Sequence, residues 1–271
     1  MPPVLPAGPV QSEGAERGAM KTKIFHSANA GLYFWDGDMG LMVDGLYRGR
    51  AVGFSDLPPA MEQAAESGTG CFAHLDGLLF THLHPDHFDG DLTRMVWERD
   101  RLPICAPGLG SPAGMLRPIC SGASRLRIGH AYILSRTSIH DGPRFRDVPH
   151  RSYLLHTQGE DFFLAGDAVL GPADADFFRY YHGGAVTAAF IGLYQAVSAS
   201  GQAFLRRLAP QRVFLYHLPL PKDDRNHFWK LAQQAARSFP KDLPPLTILE
   251  QMAWVDRNAA ERPAPAGVMY G

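Results

Sequence analysis

The feature that most constrains this chain is a group of histidines and aspartates within residues 81–90, THLHPDHFDG. The group directly follows residues 75–81, where an apolar run predicts a strand buried on both faces. His82 and His84 are two residues apart, so in an extended chain their side chains project to the same side. The pair can therefore bind one metal ion at the end of a buried strand.

The turn that follows can supply a second site. Pro85 fixes its own φ and lacks a backbone N–H, so it ends the strand. The chain can then place Asp86 and His87 on the far side of the first pair, toward a second ion. The alternative is a solvated polar turn in which the histidines are incidental. Three imidazoles and a carboxylate are costly to bury together unless a cation binds them, which favours the metal site.

The string His-x-His-x-Asp-His after an apolar strand resembles the signature of the metallo-β-lactamase superfamily. The resemblance covers most of the chain, because later strand ends offer candidates for the further ligands of that family. It implies that Asp167, in FFLAGD, is shared by both ions and that His217, in VFLYH, completes the second site. It also implies that Asp44, which ends the strand LMVD, supports the histidine turn without binding metal.

The family's middle histidine has two candidates in this sequence. His140 follows a predicted strand at residues 132–139 and matches the family's usual spacing from Asp167. His150, which is nearer to Asp167 in the sequence, is the competitor. With His140 favoured, the resemblance implies two ligand groups that share Asp167: His82, His84 and His140 for one ion, and Asp86, His87 and His217 for the other.

The implied donor set consists of imidazoles and carboxylates without a thiolate. It suits two divalent ions per chain, with zinc favoured and manganese or iron compatible. Two ions about 3.5–4 Å apart can hold a water between them and lower its pKa toward about 7. The resemblance thus implies a hydrolase that uses a metal-bridging hydroxide, with Asp86 and Asp167 as catalytic residues. Redox di-iron members usually carry a carboxylate where His84 stands, which disfavours an oxidoreductase.

Residues in loops beyond the strand ends are candidates for substrate contact. Arg48 and Arg50 lie in the loop after Asp44, and a guanidinium is suited to an anionic group, although a solvated surface loop is the alternative. Further candidates, suited to donating a proton or a hydrogen bond to the reacting oxygen, are His150, Tyr153, Tyr181 and His182.

The composition limits the classes of binding partner and the cellular compartment that we expect. The formal net charge of −1 gives no overall attraction to nucleic acid or to an anionic membrane. No apolar run approaches the roughly 20 residues of a membrane span. Cys71, Cys105 and Cys120 are far apart and odd in number, which indicates a reduced, cytoplasmic compartment.

We therefore expect hydrolysis of a small-molecule ester, lactone or phosphodiester, without a nucleic-acid or membrane partner; a homo-oligomer stays open. Two alternatives remain. The first is a non-catalytic metal-binding or sensor protein on the same fold. The second is a nucleic-acid-processing metallo-nuclease, which the charge balance disfavours, as does the short segment between Asp167 and His217.

Short strands alternate with helices in both halves of the chain. The strand–helix–strand order within residues 75–106 indicates a partly parallel sheet. A helix is predicted at residues 223–239, while residues 186–193 fit either a strand or a buried helix. With the resemblance, this pattern predicts an α/β (α+β) fold, a four-layered αββα sandwich in which two sheets pack face to face.

We expect one domain at residues 20–257. Residues 1–19 are rich in Pro, Gly, Ala and Glu, which predicts a flexible N-terminal extension, with Met20 as an alternative start. Residues 258–271 are rich in Pro and Ala and predict a flexible tail.

Overall fold

Two β-sheets form the framework of the molecule, a computed structural model that describes residues 22–108, 116–119 and 123–255. The predicted extension at residues 1–19 and the tail at residues 258–271 lie outside the described residues. In the described part, the first sheet comprises β1 (Lys23–His26), β2 (Leu32–Trp35), β3 (Gly40–Val43), β4 (Gly77–Leu79), β5 (Ile104–Pro107), β6 (Leu116–Ile119) and β15 (Ala253–Trp254).

The second sheet is built from the C-terminal half of the chain. Its described strands are β7 (Ala123–Ile128), β8 (Ala131–His140), β9 (His150–Thr157), β10 (Glu160–Leu164), β11 (Ala168–Val169), β12 (Ala188–Ile191), β13 (Val213–Leu215) and β14 (Leu246–Ile248). The α-helices of the described ranges are α1 (Pro59–Ser67), α2 (Gly90–Asp100), α3 (Pro172–His182), α4 (Leu193–Val197), α5 (Ala199–Leu208) and α6 (Phe228–Ser238).

Side-chain alternation along the strands creates three apolar layers. In β3, Leu41 and Val43 join the core between the sheets, whereas Met42 faces the opposite side. In β10, Phe162 joins the central core and Phe163 faces outward. Phe34 of the first sheet and Phe162 of the second meet across the central core, with ring centroids 5.3 Å apart.

Helices cover both outer faces. Leu92 and Val96 of α2 pack with α1 against the first sheet. Phe178 of α3 and Phe204 of α5 pack with α6 against the second sheet. The order of layers is therefore helices, sheet, sheet, helices, which confirms the predicted four-layered sandwich.

Strand directions place the chain's functional candidates at one edge of each sheet. β3, β4, β5 and β6 are mutually parallel, as are β10, β12, β13 and β14. β8 runs antiparallel to β9, which runs antiparallel to β10, so β8 and β10 share a direction. The two edges meet where the N–H of Arg151 donates to the carbonyl of Thr81 at 2.8 Å and Tyr153 Oη donates to the carbonyl of Phe80 at 2.6 Å.

The structure decides one prediction that the sequence left open and differs from the sequence expectations at several helices. Residues 186–193 contain strand β12, because parallel pairing with β10 and β13 decides what periodicity left open. The predicted helix at residues 223–239 begins later, at Phe228, where the Asp224 carboxylate accepts hydrogen bonds from the backbone N–H groups of Phe228 and Trp229. Helices α3, α4 and α5 were not predicted. None of the described helices has the length and apolar character needed to cross a membrane.

Candidate metal centre

The ends of five strands meet at the edge where the two sheets join. The segment after β4 carries the histidine turn, β3 ends beside Asp44, and β8 ends at His140. Asp167 lies between β10 and β11, and His217 follows β13. Pairing of Ala168 with His140 in the β8–β11 ladder holds His140 beside Asp167.

A buried carboxylate fixes the histidine turn. Both oxygens of Asp44 accept hydrogen bonds from Thr81, one from its backbone N–H at 2.8 Å and one from its hydroxyl at 2.7 Å. Oδ2 of Asp44 also lies 3.0 Å from Nδ1 of His87. These three residues are fully buried. Asp44 therefore orients His87 through its far ring nitrogen and leaves Nε2 directed into the cluster.

Ring nitrogens of His82, His84 and His140 form a triangle. Nε2 of His82 lies 3.0 Å from Nδ1 of His84 and 3.2 Å from Nε2 of His140. Nε2 of His140 lies 3.0 Å from Nδ1 of His84. Tetrahedral nitrogen ligands bound at about 2.0–2.1 Å stand about 3.3 Å apart, so this triangle has the size of one metal ion's coordination shell.

The second group lies beside the first. Nε2 of His217 lies 3.1 Å from Nε2 of His87 and 3.1 Å from Oδ2 of Asp86. Asp167 touches both groups: its Oδ2 lies 3.7 Å from Nε2 of His140 and 3.5 Å from Nε2 of His87, while its Oδ1 lies 3.1 Å from Nδ1 of His217. The shared position matches that of a carboxylate between two ions.

The donor chemistry fits bound cations. A nitrogen pair at 3.0–3.2 Å can share one N–H, but in the triangle of His82, His84 and His140 each nitrogen faces two others. Hydrogen bonds therefore cannot satisfy every contact, whereas one cation accepts all three lone pairs. Burial lowers the pKa of His82 well below its ordinary value, reinforced by His87, and burial also lowers the pKa of His84. Burial opposes protonation of His140 as well, but Asp141 and Asp167 outweigh it and raise the pKa of this ring. His82 and His84 are therefore held in the neutral form that binds metal, whereas His140 must lose its proton to bind.

The carboxylates also require positive charge nearby. Burial opposes ionisation of Asp167, but His217 and His87 outweigh it and hold the pKa well below its usual range. The same two histidines lower the pKa of Asp86 against burial. In return, these carboxylates and Asp44 raise the pKa of His87 well above its ordinary value, although burial opposes this. Positive charge comes either from protons on the histidines or from bound cations.

The comparisons with known proteins rest on structure. The chain matches no protein-family model and, in sequence, no curated protein. Among solved structures, it superposes on the metallo-β-lactamase fold protein YhfI from Bacillus subtilis with a TM-score of 0.56 and 15% identity, covering 86% of this chain and 97% of that one. The chain has the metallo-β-lactamase fold.

Other structures with a similar fold carry different names. An isothiocyanate hydrolase from Delia radicum gut bacteria matches with a TM-score of 0.60 and 14% identity, over 86% of this chain and 98% of that one. CmlA, a diiron β-hydroxylase from Streptomyces venezuelae, matches with a TM-score of 0.61 and 13% identity, over 89% of this chain. The chain spans about half the length of CmlA, since 55% of that protein is covered.

Within this metallo-β-lactamase fold, the structure separates the two candidates for the middle histidine. His140 joins His82 and His84, and its Nδ1 lies 2.6 Å from the carbonyl of Asp141. His150 instead lies behind the cluster, where its Nε2 accepts a hydrogen bond from the N–H of Asp167 at 2.9 Å. Burial lowers the pKa of His150 to about 3, so the ring is neutral and able to accept.

Gly166 allows this close packing. Its φ is +57°, a conformation that favours glycine. A Cβ at this position would lie 2.6 Å from Nε2 of His150 and 2.9 Å from Cβ of Thr81. The Gly-Asp pair therefore lets the β10 end approach the histidine turn closely, which places the Asp167 carboxylate among the ring nitrogens.

Two phenylalanines flank the cluster. Phe54 stacks on His217, with centroids 4.5 Å apart and planes within 12°. Phe145 approaches His84 at 4.9 Å and His140 at 5.2 Å, and 43% of its surface is exposed. Sequence reasoning missed both phenylalanines and Asp141. The sequence feature that could have identified them is their closeness to predicted site residues. Phe54 lies in the loop that contains Arg48 and Arg50, and the other two follow His140.

Two candidates for substrate contact, Arg48 and Arg50, form ion pairs with carboxylates of the protein. Arg48 pairs with Glu62 at 2.8 Å and Asp89 at 3.5 Å. Arg50 pairs with Asp56 at 3.2 Å. The guanidinium charges of this loop are therefore already compensated by neighbouring carboxylates.

Three other candidates lie outside the cluster formed by the two ligand groups and Asp167. They are Tyr153, Tyr181 and His182. Tyr153 is fully buried and donates its hydroxyl to the carbonyl of Phe80. Tyr181 and His182 end helix α3, and His182 lies beside Asp161, in a different group of polar side chains. As substrate contacts, these three residues remain predictions without geometric support.

Proposed function

We propose that this protein is a dinuclear metal-dependent hydrolase of small, uncharged esters or lactones. The observation that carries the proposal is the arrangement of two ligand groups around one shared carboxylate, Asp167. In the proposal the two groups hold one divalent ion each: His82, His84 and His140 for the first, and Asp86, His87 and His217 for the second.

The residues around the ligands keep them in position for such ions, with zinc as the favoured metal. Asp44 orients His87, Asp141 orients His140, and His150 holds the backbone of Asp167. Two ions at this centre would supply a water of lowered pKa and a Lewis acid for the scissile carbonyl. Asp86 and Asp167 stay ionised at neutral pH, because the nearby histidines lower the pKa of each carboxyl group.

An uncharged acyl substrate fits the surroundings better than a phosphodiester. Phe54 and Phe145 present apolar rings on two sides of the cluster. Arg48 and Arg50 are paired with carboxylates and so offer less attraction to a phosphate than free guanidinium groups would. In the proposal, an aromatic or aliphatic ester packs against the exposed ring of Phe145 while its carbonyl faces the ligand groups.

A substrate panel tests the proposal. Metal-free protein is reconstituted with zinc, and separately with manganese or iron, and assayed on matched aryl and alkyl esters, lactones and phosphodiesters. We expect hydrolysis of esters or lactones that chelation abolishes and that Asp167→Ala removes. Turnover of phosphodiesters alone would contradict the substrate class. Metal binding without hydrolysis of any member would favour the sensor alternative, and oxygen consumption by the iron form would favour redox chemistry.

A further inference from the structure

A second group of metal-binding side chains lies outside the cluster described above. His156, Asp161 and His182 each direct one ligand atom to a common region, and these atoms all lie within 4.8 Å of one another. His156 and Asp161 lie near the β9–β10 turn, whereas His150, beside the first cluster, begins β9. Six residues of extended strand between His150 and His156 separate the two groups by about 20 Å.

The β9–β10 hairpin places His156 opposite Asp161. Gln158 and Gly159 form its two-residue turn, with φ values of +49° and +73°, the positive values that tight hairpins require. The register pairs His156 with Asp161, so their side chains project from the same face. Nδ1 of His156 lies 2.8 Å from Oδ1 of Asp161.

The backbone of Asp161 is held on both sides. Its N–H donates to the hydroxyl of Thr187 at 3.0 Å, and its carbonyl accepts from the N–H of Thr187 at 2.8 Å. The carboxylate itself is buried, with 7% of the side chain exposed. A buried carboxylate between two imidazoles is a fixed and partly desolvated anion, which requires a paired positive charge or a bound metal ion.

Helix α3 contributes the third side chain at its last residue. Nε2 of His182 lies 2.8 Å from Oδ2 of Asp161 but is not aligned with it for a hydrogen bond. In the described part of the chain, this buried nitrogen has no hydrogen-bonding partner at all. Gly184 leaves room for it, because a Cβ there would lie 2.6 Å from the nitrogen. The carboxyl end of an eleven-residue helix also carries partial negative charge, which favours a cation.

From this geometry we propose that His156, Asp161 and His182 form a third, mononuclear site for a divalent transition ion of the zinc class. Two imidazoles and one carboxylate supply three ligands, and the exposed side of His156, 41% accessible, leaves a fourth position for water. The ion ties the end of α3 to the β9–β10 hairpin. It thereby braces the two strands that lead to His150 and Asp167.

The competing arrangement is a metal-free hydrogen-bonded chain of His156, Asp161 and His182. In that arrangement, Nε2 of His182 would donate to Asp161, but the two are not aligned for it. A bound cation beside them does not require an N–H directed at the carboxylate, because the ring nitrogen and the carboxylate then both direct lone pairs at the ion. The inference does not depend on the proposed function, since none of the three residues belongs to the first cluster.

The test counts zinc ions in the full-length protein. Metal-free wild type, Asp161→Asn and His182→Gln are dialysed against the same buffered free zinc, and bound zinc per chain is measured by elemental analysis. The matched control is His130→Gln, because His130 is another part-exposed histidine that lies 2.6 Å from a buried carboxylate, that of Asp36. Circular dichroism verifies that each variant is folded. His156→Gln, at the most exposed of the three positions, serves where another variant fails to fold.

We expect each site variant to bind one zinc fewer per chain than wild type, and the control to bind the same number. Zinc should also slow amide exchange at residues 180–184 in wild type but not in Asp161→Asn. If wild type and the site variants bind the same number of zinc ions per chain, the third site is overturned, however many ions that number is. The total bound to Asp161→Asn reports on the first cluster alone, so failure of one inference is distinguishable from failure of the other.

Discussion

The backbone N–H of Asp167 donates a hydrogen bond to Nε2 of His150 at 2.9 Å. Nδ1 of the same ring lies 2.7 Å from the hydroxyl of Ser138. Because Nε2 accepts, the ring is neutral and Nδ1 carries its proton. One buried imidazole therefore connects strand β8 to the residue that both ligand groups share.

The first prediction distinguishes a ligand from a residue that positions one. His140→Ala should lose one bound ion, because it removes a nitrogen of the first triangle. His150→Ala should keep both ions of the cluster but lower the rate, since it leaves a buried N–H unpaired at a cost of about 1–3 kcal/mol. His150→Gln, whose amide oxygen can accept, should recover part of the stability.

Metal content, initial rate and urea unfolding of these three variants check this prediction. If His150→Ala strips an ion while His140→Ala keeps both, the assignment of the first group is wrong.

The second prediction concerns Asp44, which holds Thr81 and His87 but faces no other ring of the cluster. Asp44→Asn should weaken binding of the second ion about 10–100-fold, because His87 loses the carboxylate that fixes its orientation. Competition with a chromophoric chelator measures the affinity. Asp76→Asn is the matched control, since the Asp76 carboxylate also caps a backbone N–H, that of Gly40 at 2.8 Å. Equal affinities in both variants would contradict a supporting role for Asp44.

The third prediction concerns Phe145, which covers His84 and His140 and is partly exposed. Phe145→Ala should raise KM for aryl esters about tenfold or more, because an apolar contact in a pocket is worth about 1–3 kcal/mol. Metal content should stay unchanged. Tyr180→Ala is the control, since Tyr180 is 82% exposed on helix α3. An unchanged KM for esters of every size would exclude Phe145 from the substrate site.

The fourth prediction is a pH dependence of stability at Asp36. Burial raises the pKa of this carboxyl, but hydrogen bonds from Thr157, from the N–H of Met39 and from His130 outweigh burial and lower it. A depressed folded-state pKa contributes stability above the unfolded value of about 3.9 and loses it as pH falls through the folded value.

Urea unfolding of chelator-treated protein measures this effect. Wild type should exceed Asp36→Asn in free energy of unfolding at about pH 7, and the difference should narrow below about pH 4. Asp38→Asn, at an exposed neighbour, should follow wild type at every pH. A difference between wild type and Asp36→Asn that stays constant with pH would contradict the role of Asp36.

The parts of the fold and site that sequence could predict are those that local pattern determines. The apolar run before Thr81, the two-residue spacing of His82 and His84, and the Gly-Asp pair ending at Asp167 are each visible in a few residues. Because parallel strands end at a common edge, those patterns also place the candidates together. The choice between His140 and His150 was made on family spacing, and the geometry groups His140 with the other two histidines.

What the sequence did not predict depends on contacts between distant segments. Helix α3 begins at Pro172, soon after Asp167, and its buried residues Ala175 and Phe178 are too few to distinguish a helix from a loop. Strand β12 is decided by its parallel neighbours. The placement of His182 beside Asp161 requires knowing where α3 ends relative to the β9–β10 turn, which no local pattern encodes.

Zinc content and ester hydrolysis of the Asp161→Asn protein, measured together, test the central claim most directly. This background lacks the proposed third site and keeps the seven residues of the first cluster. Metal-free protein titrated with zinc should bind two ions per chain, and hydrolysis should appear as they bind and disappear on chelation. A protein that binds no zinc, or that hydrolyses the ester fully while verified to be metal-free, would contradict a dinuclear metal-dependent hydrolase.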